Sequence, residues 1–224
     1  MNIIMIMSGG VGHRFGAEIP KQYTLLKGRP VIDYVIDVAQ ASEEGDRILV
    51  VMDPSCKEYS EKLMHDDLDF ANSGKERLDS LQNGFNFIIE NYPECEKIII
   101  LDAVAPFVTS ELIDFYLRKL DDNDAVITCQ KITGALGNYD FDPLDRDQFY
   151  MTQSPEAFRF KTLMPYFDPT FPSQELAWQL PRESKKFLYF GFPENLKLTY
   201  AYQKQYAEYM LDYYQKHKIQ ITEE

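Results

Sequence analysis

Directly after a short apolar run, the stretch Ser8-Gly9-Gly10-Val11-Gly12-His13-Arg14-Phe15-Gly16 combines several glycines with a guanidinium. Glycines let a backbone turn tightly and bring its N–H groups close to an anion, and Arg14 adds a planar, permanently charged fork for phosphate oxygens. A triphosphate suits such a turn. The spacing is neither the dinucleotide fingerprint G-x-G-x-x-G followed by an acidic ribose ligand nor a Walker loop ending in Gly-Lys-Ser or Gly-Lys-Thr. A plain glycine-rich strand-to-helix turn would look the same on this segment alone. Pro20-Lys21-Gln22-Tyr23 brings an ammonium close behind it, and Asp102 stands at the end of the apolar run Ile98 to Leu101. The carboxyl end of a parallel strand is where open α/β sheets hold ligands. No convincing Ser-His or Cys-His pair accompanies these groups, and His13, His65 and His217 read as bystanders. Covalent catalysis is therefore not suggested.

The elements that must position these residues alternate between two periods. Ile3 to Ile6, Ile48 to Val51 and Ile98 to Leu101 are short continuous apolar runs, as expected of parallel strands covered on both faces. Between them, Val31, Ile32, Val35, Ile36 and Ala39 recur at helical spacing, as do Leu78, Leu81, Phe85, Ile88 and Ile89. A further helix, Leu112 to Leu120, leads to a strand around Ala125 to Cys129. Repeated βα units of this kind predict an α/β, Rossmann-like, doubly wound and mostly parallel sheet. Residues 133–150, with Gly134, Gly137, Asn138, Pro143 and several aspartates, have turn chemistry and are expected to leave the sheet as a short β-arm. Tyr202, Tyr206, Tyr209, Met210 and Tyr213 predict a terminal helix packed on the body, with residues 200–224 forming helix and tail.

Composition narrows the function classes. At 224 residues the chain suits one α/β domain spanning 1–224. Its 45% hydrophobic and 26% charged residues match ordinary globular usage, which argues against disorder. A formal charge of -13 argues against a nucleic-acid surface, so any basic site must be local. Cys56, Cys95 and Cys129 are odd in number and lack metal-ligand spacing, as expected of reduced thiols in a cytoplasmic protein. The opening apolar run is too short for a membrane span and lacks a signal peptide's basic start.

Five segments, in order, carry a resemblance. They are G-G-x-G-x-R-x-G at Gly9 to Gly16, P-K-Q at Pro20 to Gln22 with the helix start at Gly28, Pro30 and Val31, and Ser73-Gly74-Lys75-Glu76-Arg77-Leu78-Asp79-Ser80-Leu81. Asp102-Ala103-Val104-Ala105-Pro106 and Gly191-Phe192-Pro193-Glu194-Asn195-Leu196-Lys197-Leu198-Thr199 follow. Together they resemble the cytidylyltransferases that act on methylerythritol phosphate or ribitol phosphate, within the sugar-nucleotidyltransferase superfamily. The resemblance implies that Ser8, Gly9, Gly10, Gly12, Ser73, Gly74, Arg77 and Ser80 hold CTP. It implies that Arg14, Lys21 and Lys197 act on the phosphates, the two lysines on the α-phosphate, and that Asp102 binds Mg²⁺. Thr133 and Arg146 would hold the acceptor phosphate. It further implies a homodimer paired through the arm, with Arg146 reaching the neighbouring subunit's site.

The departures fall on the acceptor side. Ala105 stands where these enzymes have Arg, and Gly134 and Ala135 replace the lysine after Thr133. The acidic pair of T-D-x-x-x-x-x-E is absent, with Gln174 in place of the Asp and Glu175 as a substitute carboxylate. The expected activity is transfer of CMP from CTP to a small phosphorylated alcohol, a polyol phosphate such as ribitol or glycerol phosphate, with release of pyrophosphate. The resemblance implies that such an activated polyol would serve a capsule or wall polymer. Alternatives on the same residues are methylerythritol-phosphate cytidylyltransferase, transfer of another nucleotide such as UMP to a sugar phosphate, and a catalytically idle CTP-binding relative.

Overall fold

The computed structural model of the chain describes residues 1–10, 19–56, 58–59, 68–193 and 195–217. The first apolar run forms β1 (Asn2–Ser8), and the next two form β4 (Arg47–Met52) and β6 (Lys97–Asp102). β1 lies between β4 and β6 and is parallel to both. β5 (Leu68–Asn72) extends the sheet beyond β4. On the other side come β8 (Tyr150–Arg159), β7 (Ala125–Lys131) and β9 (Lys186–Tyr189), giving the order β5-β4-β1-β6-β8-β7-β9. Only β8 runs antiparallel to its neighbours. The expected mostly parallel α/β sheet is therefore present.

Alternation along β1 assigns the two faces. Ile4 and Ile6 point into a core shared with α1 (Val31–Gln40) and α3 (Ser110–Lys119), while Ile3 and Met5 point into one shared with α2 (Arg77–Asn91). All four are fully buried. α2 begins with a reciprocal capping box between Glu76 and Asp79, and Thr109 caps α3 by accepting from the Leu112 N–H at 3.2 Å. A hairpin of β2 (Leu25–Leu26) and β3 (Arg29–Pro30) precedes α1. Its tip holds Lys27 at φ 48° and Gly28 at φ 83°, the positive pair that a tight two-residue turn needs.

Two expectations are modified. Residues 132–149 contain no strand, only one 3₁₀ turn at Arg146–Gln148, and the arm's ladder consists of the outer ends of β7 and β8, Thr128 to Lys131 against Gln153 to Tyr150. The terminal helix is α5 (Gln203–Tyr214), after the short α4 (Phe160–Leu163). α5 packs through Ala207, Met210, Leu211 and Tyr214, whereas Tyr202, Tyr206 and Tyr209 are more than half exposed. The tyrosine stripe thus faces outward, because a phenol tolerates water and the smaller residues beside it fit the groove.

β7 and β8 slip out of register between Ile127 and Thr128: Ile127 faces Glu156, but Thr128 faces Gln153. Ser154 and Pro155 are left without ladder partners, and bulges of this sort re-aim side chains beside functional sites. Thr128 Oγ1 donates to the Pro155 carbonyl at 2.7 Å and lies 2.6 Å from the Tyr116 hydroxyl, fixing the irregularity from below.

Candidate active site

The carboxyl ends of β1 and β6 open on a cleft of about 240 Å³ lined by Ser8, Gly9, Gly10, Lys21, Gly74, Arg77, Asp102 and Lys197 among others. Ser8 is buried at the strand tip, and its carbonyl accepts from Gln22 Nε2 at 2.7 Å. That bond ties the Pro-Lys-Gln segment to the end of β1 and sets Lys21 at the cleft wall. Gly9 passes so close to Ser73 that an added Cβ would lie 2.2 Å from the Ser73 Cβ. Glycine is therefore required there by space alone. Gly12 and Arg14 lie outside the described residues.

The loop before α2 is braced from within. Ser80 Oγ accepts from the Gly74 N–H at 2.9 Å and donates to the Glu76 carbonyl at 3.0 Å. Ser80 thus shapes the loop wall, to which Gly74 contributes directly, whereas Ser73 packs against Gly9 without lining the cleft. Lys75 and Glu76 also line the cleft, two groups that the motif reading did not single out.

Asp102 is the electrostatic centre. Arg77 donates to Oδ1 at 2.9 Å and Lys197 Nζ lies 2.7 Å from Oδ2. Burial alone would raise its pKa, but the Arg77 and Lys197 charges overcome that and hold the carboxyl well below the usual carboxylate range. It is ionised at neutral pH. The Asp102 N–H donates to Ser154 Oγ at 3.2 Å, so the β8 irregularity also buttresses this strand end. The segment carrying Lys197 is pinned by the Leu198 N–H on the Val104 carbonyl at 2.9 Å and by Asn195, whose amide donates to Gln153 Oε1 at 3.1 Å and to the Ser154 carbonyl. Residues nearly a hundred positions apart in sequence therefore converge on one carboxylate.

The acceptor-side residues divide. Gln174 lines the nucleotide cleft and also a second, adjoining cleft of about 230 Å³, which Glu175 lines as well. Ala105 is buried in the core and lines neither. Thr133 and Arg146 meet each other, Arg146 donating to the Thr133 carbonyl at 2.6 Å, but they line a separate cleft under the arm with Tyr150 and Phe190. Within one chain they do not join Asp102. Sequence reasoning also passed over Glu156, which is buried and lines the second cleft; one glutamate among 36 acidic residues carries no motif signal.

Among the described residues no group of three His, Cys, Asp or Glu side chains could hold a metal ion. An all-protein metal cage is thus not formed there, but Mg²⁺ needs only one or two carboxylates when phosphates and water complete its octahedron. A buried, ionised Asp102 at the floor of a cationic cleft fits that donor set.

The chain matches the family model described as IspD, 2-C-methyl-D-erythritol 4-phosphate cytidylyltransferase, over residues 2–212. A bifunctional ribulose 5-phosphate reductase/CDP-ribitol pyrophosphorylase of Haemophilus influenzae is 30% identical over 179 residues, covering 75% of this chain and 37% of that protein. A 2-C-methyl-D-erythritol 4-phosphate cytidylyltransferase of Bifidobacterium longum subsp. infantis is 28% identical over 221 residues, covering 88% of this chain and 75% of that protein. The chain spans about half or less of the length of the bifunctional relatives it matches, 37%, 43% and 52% for three of them. The crystal structure of 4-diphosphocytidyl-2C-methyl-D-erythritol synthase from Anaerococcus prevotii superposes with a TM-score of 0.80 at 21% identity, covering 94% of this chain and 98% of that one, and confirms the fold. With its matched segments gathered at one cleft, this chain belongs to the IspD family of cytidylyltransferases.

Proposed function

We propose that the chain transfers CMP from CTP to a small phosphorylated polyol and releases pyrophosphate. The observation that carries this reading is the convergence of Arg77 and Lys197 on buried Asp102, in the same cleft as the Ser8–Gly10 turn and Lys21. Such a cleft neutralises phosphates while keeping one carboxylate charged. The relative that makes CDP-ribitol favours a polyol phosphate, and the Gln174 departure turns the reading away from methylerythritol phosphate.

In the proposed reaction an acceptor phosphate oxygen attacks the α-phosphorus in line. The new P–O bond forms as the bond to pyrophosphate breaks, and the electron pair leaves on pyrophosphate. A phosphate is already anionic at neutral pH, so no general base is required. Lys21 and Lys197 flank the α-phosphate. Lys197 reaches Asp102 from a half-exposed position, which leaves the same ammonium within reach of a phosphate in the cleft. Arg14 steadies the departing pyrophosphate. Asp102 would hold Mg²⁺, which when bound supplies charge neutralisation on the phosphate oxygens.

We also infer a cytoplasmic homodimer paired through the arm. Supporting this are Tyr139, Phe141, Phe149 and Tyr150, exposed around the arm, and the Thr133–Arg146 cleft standing apart from Asp102. Cys56, Cys95 and Cys129 are free, and among the described residues no helix is long and apolar enough to cross a membrane. Light scattering tests the pairing: the mass of one chain would contradict it.

The nucleotide choice is tested by pyrophosphate release with Mg²⁺ and ribitol or glycerol phosphate, comparing CTP with UTP, ATP and GTP. Release with CTP alone, lost in Lys21→Ala, is expected. Equal release with UTP would replace this reading with a different nucleotidyltransferase.

A further inference from the structure

The second cleft shares Arg77, Asp102, Gln174 and Lys197 with the nucleotide cleft and continues past them to Glu156 and Glu175. Its polar side chains are mostly satisfied by one another. Gln153 Nε2 donates to Gln130 Oε1 at 2.8 Å, and Asn195 turns its amide to Gln153 and Ser154. Glu156 is different. Its side chain is 4% exposed, lines the cleft, and makes contact with the Glu175 carboxyl and the Ala177 N–H, yet its Oε2 has no hydrogen-bond partner among the described residues. Buried acceptors are rarely left unmade, and one carried by a residue that lines a cleft is suited to a ligand's donor.

We propose that Glu156 is a specificity-determining residue for the acceptor: the second cleft takes the hydroxylated end of the phosphorylated polyol, and Glu156 Oε2 accepts a hydrogen bond from one of its hydroxyls. The inference rests on the cytidylyl-transfer reading and deepens it. The cleft is graded in charge. Lys197 and Arg77 stand at the end shared with the nucleotide, which attracts the acceptor's phosphate, whereas Glu156 and Glu175 at the far end offer it no cation. An acceptor is thereby directed phosphate-first toward the CTP. A neutral hydroxyl suits the far end better than an ammonium, because the Arg77 guanidinium lines the same space.

The test uses ribitol 5-phosphate or glycerol 3-phosphate, whichever turns over, with the matching singly deoxygenated analogues. Removing one particular hydroxyl is expected to lower kcat/KM of the wild type by about 10- to 100-fold, the range for leaving a buried polar group unpaired. In Glu156→Met that penalty falls to about threefold or less, at that carbon only, with the KM for CTP unchanged. Should the methionine variant fail to fold, Glu156→Ala, which removes both side-chain oxygens without adding bulk, is expected to reduce the same penalty by about threefold or more. An undiminished penalty in a variant that binds CTP normally overturns the proposal and leaves cytidylyl transfer standing. A wild type silent with every acceptor overturns both.

Discussion

At the scale of single residues, the ion triad at Asp102 separates stability from catalysis. Arg77 and Asp102 form the inner pair, while Lys197 is half exposed, so its contribution to folding is small, about 0–1 kcal/mol. In the proposed transfer, its contribution to a transition state with charge growing at phosphorus is expected to be large. Lys197→Ala is expected to lower kcat by about 10²–10³-fold with a nearly unchanged urea midpoint. A matching collapse of stability would instead make Lys197 a structural partner of Asp102. Glu156 supplies the converse case. Burial, reinforced by the Glu175 charge and opposed by Arg77, pushes its carboxyl up to about 8. The folded chain then holds a proton that the unfolded chain releases, so stability falls as pH rises between about 4.5 and about 8. Urea midpoints across that window should drop more steeply for the wild type than for Glu156→Gln. Parallel slopes would show that Glu156 titrates like a solvated glutamate.

At the scale of elements, loops are held to strand tips by a few close approaches. Gly9 against Ser73 is one of these at the nucleotide cleft, and Gly9→Ala is expected to push the two loops apart, destabilising the fold by about 1–3 kcal/mol and raising the KM for CTP. Unchanged CTP affinity would remove the Ser8–Gly10 turn from the nucleotide site. The strands and helices that frame this cleft were legible because their signals are local: continuous apolar runs for β1, β4 and β6, and helical spacing for α1, α2 and α3. β8 was not. Its sequence, Tyr150 to Arg159, mixes polar residues with a proline, since the strand lies partly in the solvent-exposed arm and is broken at Ser154 and Pro155. Glu156 escaped for the same reason: its role depends on Arg77 and Glu175, which only the folded sheet brings beside it. Lys21, Asp102 and Lys197 were found through ordered motifs, and the cleft does join those three.

At the scale of the whole molecule, a chain of net charge -13 concentrates Lys21, Arg77 and Lys197 in one cleft. The negative remainder discourages polyanions, and the local cations select a small one. This division of charge suits the proposed reaction of CTP with a phosphorylated polyol. The acceptor's phosphate must end in a diphosphate bridge to cytidine if the α-phosphorus is the centre attacked. Phosphorus-31 spectroscopy of a reaction holding CTP, Mg²⁺ and ribitol 5-phosphate reads that bond directly. The expected result is a pair of coupled diphosphate resonances growing in step with free pyrophosphate, one product for each pyrophosphate. Free CMP beside the pyrophosphate, with the acceptor unchanged, would show hydrolysis in place of transfer and contradict the account.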